Sequence, residues 1–302
     1  AGKKVVATEI PELMPYKDKY VYMSNDNEQF LNYVRLCLDE KDELEEMDSC
    51  ISFAKENDWQ KRYECLTEAC SDAAPSVSII VLTYNNLEYN KMCIDSILKQ
   101  TAYPNYELII VDNLSTDGTR EFLSNIDTEK YPHIKVVLNE KNSGFAGGSN
   151  IGIDMAKGQY IMLLNNDTVV TRGWLSNMVK HLRNNAEYGM CGAVTNSIGN
   201  EAMIRVDYHN GDELQEFAYD YTATHMSEEY ENVDRLAMFC TLIPRAVIDK
   251  VGLLDERYKI GMFEDDDYAQ AVKASGRRLL IAEDAFVHHV NNASFNKLEQ
   301  EN

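Results

Sequence analysis

Residues 160–167 combine a short apolar run with two amides and a carboxylate at its end. A run this short and this rich in Ile and Leu is typical of a buried strand in a parallel sheet. Ligands of open α/β sheets bind beyond the carboxyl ends of the strands, where Asn165, Asn166 and Asp167 fall. A carboxylate there could hold a divalent cation against a phosphate, because hard oxygen ligands suit Mg2+ and Mn2+. A polar turn that leads into a helix near Arg172 would explain the same residues without a ligand.

A run of four acids, 264–267, opens a predicted helix further along the chain. Acids at a helix N-terminus complement its dipole, and a solvated acidic face is the common explanation. Phe263 and Tyr268 flank this run, which favours a partly enclosed site. Crowded carboxylates raise one another's pKa, as a general base requires. The residue types alone do not single out one acid of the run.

Two adjacent imidazoles, His288 and His289, end a strand-like run that begins at Phe286. A lone His is structural more often than it is a ligand. Two of them near a candidate cation site leave a ligand role and a structural role equally open.

Three further segments have the residue types that could bind a nucleotide. The turn after the first predicted strand, 83–86, offers small polar groups to a nucleobase, although a simple turn explains it too. Asp112 ends the second strand and could accept a base N–H or a ribose hydroxyl, while residues 115–117 could cap the next helix. The glycines of 142–152 let backbone N–H groups approach a diphosphate or ribose at a helix start, and close helix–sheet packing is the alternative.

The elements that must position these residues alternate between strands and helices after Pro75. This alternation is the signature of a βαβ sheet with helices on its faces. The pattern stops between residues 196 and 234, which we expect to help shape an acceptor site, and resumes at 236. Strands are predicted at 77–83, 106–112, 134–139, 160–164, 190–194 and 236–243. Helices are predicted at 88–100, 116–124, 146–157, 173–184, 245–251 and 266–275.

The composition limits the classes of function. The chain has 302 residues, with 29 Lys and Arg against 50 Asp and Glu, and a net charge of -21. Nucleic acid or an anionic membrane surface would repel it, so neither is expected as the main partner. Seven cysteines without paired spacing indicate reduced thiols. The sequence shows neither a signal-peptide pattern nor an apolar run of membrane-spanning length. We therefore expect a cytoplasmic protein without a transmembrane segment.

Residues 1–74 differ from the rest of the chain. A strand and turn over 2–13 precede an acidic segment, 27–70, whose apolar spacing is helical. This region resembles the tail of a GT-B glycosyltransferase domain, in which a similar strand, an Ile-Pro-Glu turn and a final helix close the second Rossmann-like half. About 70 residues cannot complete such a half. One interpretation is a piece of a longer, multi-domain polypeptide with tandem transferases, and the other is a helical cap on the main domain.

From residue 77 to residue 295 the chain resembles the family 2 glycosyltransferases of GT-A fold. The order and spacing of the motifs are specific, although each motif alone is ordinary. The resemblance implies that residues 75–302 form a GT-A domain, α/β and Rossmann-like, with a mostly parallel central sheet flanked by helices. The motifs are Thr83-Tyr84-Asn85, Val111-Asp112-Asn113, 115–119, 142–152, Leu164-Asn165-Asn166-Asp167, 264–267, and His289 five residues before Ser294.

The resemblance implies an inverting transfer of a hexose or deoxyhexose from a nucleotide-diphosphate donor to an acceptor hydroxyl. The acceptor is expected to be a glycan or a lipid-linked sugar in surface-glycan or polysaccharide assembly, at a cytoplasmic site that can be peripheral to the inner membrane. Asp265 takes the place of the catalytic base, with Asp266 as its nearest competitor. Asp167 takes the place of the last acid of the family's Asp-x-Asp metal motif.

One departure from the family pattern concerns the cation. Asn165 stands where the motif has its first acid, so fewer carboxylates are available to Mg2+ or Mn2+. The donor diphosphate and His289 are therefore expected to complete the shell. The residues expected to contact the donor are Thr83, Tyr84, Asn85, Asp112, Ser115, Asn142, Gly144, Phe145, Gly147, Gly148, Asn150, Asn165 and Asn166.

Two other functions compete with this interpretation. A nucleotidyltransferase would show a Gly-rich loop with a basic residue after the first strand, and residues 81–87 contain neither Gly nor Lys. A non-catalytic module that binds a nucleotide sugar or carbohydrate would not need Asp167, Asp265 and His289, but Asn165 leaves that function open.

Overall fold

The computed structural model describes residues 3–39, 44–231, 233–258 and 263–290. It divides into two compact units, Ala1–Ser71 and Asp72–Asn302. Among the helices of the described residues, none is both long enough and apolar enough to cross a membrane. All seven cysteines are free thiols.

The first unit is mainly helical and contains one small sheet. Strands β1 and β2 pair in parallel, and a 3-10 helix, Pro11–Tyr16, lies between them. Tyr20, directly before β2, stacks on Phe53 of α2 at a ring-centroid distance of 4.1 Å, which joins this segment to α2. The helices confirm the helical spacing predicted for 27–70, whereas the sequence did not predict β2. The likeness to a GT-B tail stays a prediction. The elements are β1 (Val5–Ala7), β2 (Val21–Met23), α1 (Asn27–Asp39), α2 (Leu44–Glu56) and α3 (Trp59–Ala73).

The second unit is built on a nine-stranded sheet of order β5-β4-β3-β6-β10-β8-β11-β7, with β9 paired to β11. Strands β10, β7 and β9 are antiparallel to their neighbours, and the other six run in one direction. The sheet is therefore mixed but mostly parallel, as expected. Its strands are β3 (Val77–Thr83), β4 (Tyr106–Asp112), β5 (Ile134–Leu138), β6 (Tyr160–Asn165), β7 (Thr168–Val170), β8 (Tyr188–Val194), β9 (Glu229–Tyr230), β10 (Cys240–Pro244) and β11 (Arg278–His289).

Helices cover both faces of this sheet. Two consecutive residues of β3 lie on opposite faces of the sheet: Ile79 belongs to one buried apolar cluster and Ile80 to the other. The first cluster includes Ile97 of α4, and the second includes Ile153 of α6. Strands buried on both faces need continuous apolar runs, which is why the sequence pattern located them. The helices are α4 (Leu87–Gln100), α5 (Thr119–Ser124), α6 (Gly144–Met155), α7 (Trp174–Asn184), α8 (Gly211–Thr224), α9 (Arg245–Val251) and α10 (Glu264–Ala274).

The structure differs from the predicted secondary structure at three places. The strand predicted from residue 236 begins at Cys240. Apolar residues before it are buried in an irregular segment, and periodicity cannot separate such a run from a strand. Helix α8 lies in the stretch where the pattern failed, because it buries only Leu214 and Ala218 along its length. A turn over Asn166 and Asp167 follows β6, as one interpretation of the sequence expected, but the unpredicted strand β7 lies between this turn and α7.

A buried ion network ties α7 to β11 and β9. His181 Nε2 lies 2.7 Å from Asp284 Oδ1, and His181 Nδ1 lies 2.6 Å from Glu229 Oε1. Glu229 also accepts a hydrogen bond from the Tyr188 hydroxyl at 2.9 Å. Burial alone would lower the pKa of His181, but the hydrogen bonds to Asp284 and Glu229 raise it above its ordinary value of 6.5. The imidazolium form is therefore the one that this network stabilises.

We expect the network to make the stability of the second unit depend on pH. Because the folded-state pKa of His181 is raised, its contribution is complete below about pH 6.5 and is lost as the pH rises through the folded pKa. Replacing His181 by Gln leaves Asp284 and Glu229 without their cation, and should lower the free energy of unfolding by about 3–5 kcal/mol at low pH. Urea unfolding followed by fluorescence of Trp174, which is buried in α7, measures this.

The exposed His209 offers the matched control. His209→Gln should leave both the unfolding free energy and its pH dependence as in the unchanged chain. A His181→Gln variant that retains the same decrease between about pH 6 and pH 9 would show that other groups produce it.

Candidate active site

Parallel strands that end side by side bring the first candidate residues together. Thr83 ends β3 opposite Asp112 at the end of β4, and Leu82 of β3 lies opposite Asn165 of β6. Thr83 Oγ1 donates a hydrogen bond to Asp112 Oδ1 at 3.2 Å, and both side chains are fully buried. The strand register therefore places these residues along the sheet edge at which α/β proteins bind ligands.

The carboxylate of Asp112 orders the loop that follows β4. Its Oδ2 accepts hydrogen bonds from the Ser115 backbone N–H at 3.0 Å and from Arg120 Nη1 at 2.9 Å. Arg120 Nη1 also donates to the Asn139 backbone carbonyl at 2.9 Å. Together with the bond from Thr83, these bonds use three of about four acceptor positions of the carboxylate, and a contact of Asp112 with the donor stays a prediction. Arg120 was not among the residues predicted from the sequence, although a buried carboxylate calls for a nearby cation.

The turns after β3 and β4 are fixed to one another. The Asn85 N–H donates to Ser115 Oγ at 2.8 Å, and Asn85 Oδ1 accepts a hydrogen bond from the Thr116 N–H at 2.8 Å. Asn85 and Asn86 have φ angles of 52° and 63°, in the left-handed region that Asn tolerates better than most residues. The half-buried Tyr84 belongs to the same turn. The structure thus joins two segments that the sequence proposed separately.

Asn113 organises the loop that leads into α6. Its Nδ2 donates to Asn142 Oδ1 at 2.8 Å and to the Gly144 carbonyl at 3.0 Å. Its Oδ1 accepts a hydrogen bond from the Ser143 N–H at 3.0 Å. Gly144 has a φ angle of 71°, which favours glycine at that position. Asn113 lay within a predicted motif but was not among the predicted donor contacts.

Close packing of α6 on the sheet explains two of its glycines. A Cβ on Gly148 would lie 2.3 Å from Leu82 Cδ1, and one on Gly152 would lie 2.4 Å from Ile80 Cγ2. Real Cβ atoms do not approach other carbons so closely. The packing alternative therefore accounts for Gly148 and Gly152 without a ligand. A donor contact at Gly147 or Gly148 stays a prediction.

Two other predicted donor residues of α6 make structural contacts. Asn150 Nδ2 donates to the Leu254 carbonyl at 2.9 Å and to Glu256 Oε1 at 3.0 Å. Asn150 Oδ1 accepts a hydrogen bond from the Leu254 N–H at 3.0 Å. Phe145 is partly buried against the second apolar cluster. These contacts hold the segment after α9 against α6, and a role for Asn150 or Phe145 in donor binding stays a prediction.

The pair Asp167 and His289 is the most informative contact of the site. Asp167 Oδ1 lies 3.3 Å from His289 Nε2, and each residue is only 6 % exposed. Strand β11 brings His289 opposite Thr168 of β7, and the Val290 N–H donates to the Asp167 carbonyl at 3.0 Å. His289 also stacks on Phe239 at a centroid distance of 5.2 Å. Pairing between β7 and β11 therefore brings together two residues that are far apart in the chain.

The second ring nitrogen of His289 determines what the first can do. His289 Nδ1 lies 3.1 Å from the Ser197 carbonyl, which can only accept, so Nδ1 carries a proton. In the neutral ring, Nε2 is then a bare acceptor that faces the Asp167 carboxylate. A divalent cation would satisfy both groups, and a second proton on the ring would do the same. An Nδ1–H bonded to a backbone carbonyl is the common outer-shell arrangement of a metal-binding His.

Asp167 and His289 form a pair of possible metal ligands. Among the residues that the structure describes, no group of three or more His, Cys, Asp or Glu side chains is arranged to hold a metal ion. Asp167 and His289 fit a cation that takes the rest of its ligands from a bound substrate. This fits the expectation that the donor diphosphate completes the shell.

The geometry separates the two histidines that the sequence left as alternatives. His288 and His289 are consecutive on β11 and point to opposite faces. His288 Nδ1 lies 2.6 Å from the Tyr208 hydroxyl, and its ring packs at the edge of Tyr208. Burial lowers the pKa of His288. His289 is therefore the histidine in contact with Asp167.

The acid run opens α10, which begins at Glu264, two residues earlier than predicted. Phe263, with a φ angle of 76°, precedes the helix. Burial raises the pKa of Asp265, and its Oδ1 accepts a hydrogen bond from the Asp266 N–H at 2.9 Å. Asp266 Oδ2 pairs instead with Arg235 Nη1 at 3.3 Å. Burial also raises the pKa of Glu264, whose Oε2 is buried without a hydrogen-bond partner among the described residues.

The acid run and the Asp167–His289 pair remain separate in the described residues, where neither Asp265 nor Asp266 bonds to Asp167 or His289. Ser294, which belongs to the last of the predicted motifs, lies outside the described residues.

Comparisons with known proteins agree with this fold. The model of the family described as "Glycosyl transferase family 2" matches residues 78–252, more than half of the chain. The structure of a mannosyltransferase from Pyrobaculum calidifontis in complex with GDP-Man and Mn2+ superposes with a TM-score of 0.55 and 19% identity, over 78% of this chain and 66% of that one. At this identity the likeness establishes the GT-A fold alone.

Relatives in sequence carry glycosyltransferase names. An uncharacterized glycosyltransferase of Haemophilus influenzae is 32% identical over 140 residues, which are 46% of this chain and 43% of the relative. A poly(ribitol-phosphate) beta-glucosyltransferase of Bacillus spizizenii is 34% identical over 96 residues, or 31% of this chain and 15% of the relative. The chain thus spans less than half the length of these relatives. Because the family model covers residues 78–252, the chain belongs to glycosyl transferase family 2.

Proposed function

We propose that this chain transfers a hexose or deoxyhexose from a nucleotide-diphosphate sugar to an acceptor hydroxyl, with inversion at the anomeric carbon. Surface glycan or polysaccharide assembly is the proposed setting, which the poly(ribitol-phosphate) glucosyltransferase among its relatives supports. A glycan or a lipid-linked sugar is the proposed acceptor.

The observation that carries this proposal is the buried contact between Asp167 and His289 beyond the end of β6. The Asp167 carboxylate suits Mg2+ or Mn2+, and the His289 imidazole favours Mn2+, the softer of the two cations. Mn2+ accompanies the nucleotide sugar in the structural neighbour. When bound there, the cation would offset the negative charge of the donor diphosphate. Asp167 and His289 would hold it.

The proposed nucleoside site lies along the same edge. Thr83, Tyr84 and Asn85 at the end of β3 and Asp112 at the end of β4 would face the nucleoside, with one acceptor position of Asp112 left for it. The joined turns keep these groups in place before a ligand arrives, which lowers the ordering cost of binding.

Asp265 is the proposed general base. Its carboxylate takes the proton from the acceptor hydroxyl as that oxygen bonds to the anomeric carbon, while the bond from this carbon to the diphosphate oxygen breaks. The acceptor and the leaving group lie on opposite faces of the sugar, so one displacement inverts the configuration. Asp266 is less suited to this role because Arg235 pairs with its carboxylate.

A non-catalytic module that binds a nucleotide sugar is the competing function, because Asn165 replaces one acid of the metal motif. A panel of nucleotide sugars, each with and without Mn2+, separates the two functions in a thermal-shift assay followed by an assay of nucleoside diphosphate release. We expect one donor to raise the melting temperature only with Mn2+, since a ligand at 100 times its Kd adds about 2.7 kcal/mol to folded-state stability. The same mixture should release nucleoside diphosphate.

The outcomes of this experiment are distinct. Stabilisation by a donor without any release, across glycan and lipid-linked acceptors, would favour the non-catalytic module. The absence of both stabilisation and release for all donors would contradict the proposed function.

A further inference from the structure

Asn90 is a buried polar residue that the sequence motifs did not include. It lies in the first turns of α4 and is fully buried. Its side chain makes hydrogen bonds to three segments, each of which contains or adjoins candidate donor residues. Asn90 Nδ2 donates to the Asn85 carbonyl at 2.8 Å and to Thr119 Oγ1 at 3.0 Å. Asn90 Oδ1 accepts a hydrogen bond from Asn166 Nδ2 at 2.5 Å.

These bonds use most of the hydrogen-bond donors and acceptors of the Asn90 side chain. An Asn side chain has two N–H donors and one oxygen with two lone pairs, and Asn90 engages both donors and at least one lone pair inside the protein. A fully satisfied buried amide fixes the relative positions of its partners, because moving any one of them leaves a polar group unpaired. A hydrocarbon side chain of similar size would fill the space but make none of these bonds.

The partners of Asn90 belong to different parts of the site. Asn85 is in the turn that would face the nucleoside, and Thr119 begins α5 directly after the loop that Asp112 orders. Asn166 precedes Asp167 in the segment that would hold the cation and diphosphate. Asn85 follows the end of β3 and Asn166 follows the end of β6. The side-chain amide of Asn90 makes a hydrogen bond to each of them and so connects the two strand ends.

We propose that Asn90 is a positioning residue that couples the nucleoside turn to the segment 165–167. This inference rests on the proposed function. With Asn90 in place, the nucleoside turn and Asn166 are held in one arrangement, so a nucleotide that contacts both finds Asn85 and the segment that contains Asp167 in compatible positions. Because coupling between two ligands is reciprocal, Mn2+ should tighten nucleoside diphosphate binding by the same factor by which the nucleotide tightens Mn2+ binding.

The test measures this coupling directly. Calorimetric titrations give the Kd of UDP and of GDP, with and without Mn2+, and the ratio of the two Kd values is the coupling factor. In the unchanged chain we expect a factor of about 5–150 for the nucleotide that binds. In Asn90→Leu the factor should fall at least about fivefold, while the affinity for the free nucleoside changes little, because Ser115 and Thr116 still hold Asn85.

Two further variants keep the test decisive. Asn166→Leu removes the same bond from its other end, and the double variant should lose no more coupling than either single variant. Asn177→Leu is the matched control, because Asn177 is also an Asn in the first turn of a helix that donates to a distant backbone carbonyl, that of Asp284. The control should retain the full coupling factor. If Asn90→Leu does not fold, Asn166→Leu alone must show the loss.

The results distinguish this inference from the proposed function. An unchanged coupling factor in a folded Asn90→Leu and in Asn166→Leu overturns the positioning role, and so does nucleotide binding that Mn2+ does not affect. The first result leaves the proposed function standing, whereas the second also counts against the proposed cation site at Asp167 and His289. A chain that binds neither UDP nor GDP, with or without Mn2+, contradicts the positioning role and counts against the proposed function as well. If the affinities for the nucleoside and for the nucleotide fall by the same factor and the melting temperature falls as well, the role of Asn90 is purely structural.

Discussion

Replacing Asp265 by Asn is expected to lower the rate of sugar transfer by about 100- to 10,000-fold while nucleotide-sugar binding is retained. An amide fills the space of the carboxylate but cannot accept the proton of the acceptor hydroxyl. The position suits a base, because burial raises the pKa of Asp265 and so makes its carboxylate more basic. Initial rates of nucleoside diphosphate release, together with the donor Kd from calorimetry, give the two quantities separately.

The neighbouring acid supplies the control. Asp266→Asn loses the ion pair with Arg235 but leaves the Asp265 carboxylate in place, so its transfer rate should stay within about tenfold of the unchanged chain. If Asp266→Asn abolishes transfer and Asp265→Asn does not, the assignment of the base is reversed. The pH profile offers a second check: the rate should fall as the pH drops through the raised pKa of Asp265, since the protonated acid cannot act as a base.

Asp167→Asn is expected to weaken Mn2+-dependent donor binding by at least about 100-fold, because even outer-shell changes at metal sites cost 10- to 100-fold in affinity. Asp167 has the only negative charge in the segment 165–167, and the other partner at this point, His289, is neutral when it acts as a ligand. Titration of Mn2+ into the chain at saturating nucleoside diphosphate measures the apparent affinity for the cation. His289→Ala should also lower the apparent affinity for Mn2+.

A substitution that adds a carboxylate to the same segment provides a second test of the cation site. Asn165→Asp restores the acid that the family motif has at this position, and an added carboxylate should raise the affinity for the cation. The exposed Asp154 on α6 provides the control, since Asp154→Asn removes an equal charge away from the segment. Equal Mn2+ affinities in Asp167→Asn, Asp154→Asn and the unchanged chain would contradict a cation site at Asp167.

Local pattern determined the parallel strands β3, β4, β5, β6 and β8 and the residues that follow them. Thr83, Asp112 and Asn165 end continuous apolar runs, and runs of that kind form central strands because both faces are buried. Parallel strands end at one edge, so their terminal residues lie in one region whatever the loops do. The order of the motifs identified the family because each motif consists of residues that are close in the sequence, as each strand does.

Side-chain partners from distant segments were decided by the tertiary structure alone. The hydrogen bonds of Asn90 with Asn166 and of Asn150 with Leu254 depend on which elements pack together. The glycine-rich helix shows the same limit, because a packing glycine and a ligand-binding glycine look alike until Leu82 is found against Gly148.

The segment 165–167 shows both contributions in one place. Its position at the end of a buried strand and the identity of its one acid follow from the sequence, because strand burial and side-chain charge are local properties. That Asp167 faces His289, and not His288, follows from the pairing of β7 with β11 and from the alternation of side chains along β11. A strand register set by long-range contacts cannot be read from local periodicity, since a shift of one residue would exchange the two histidines.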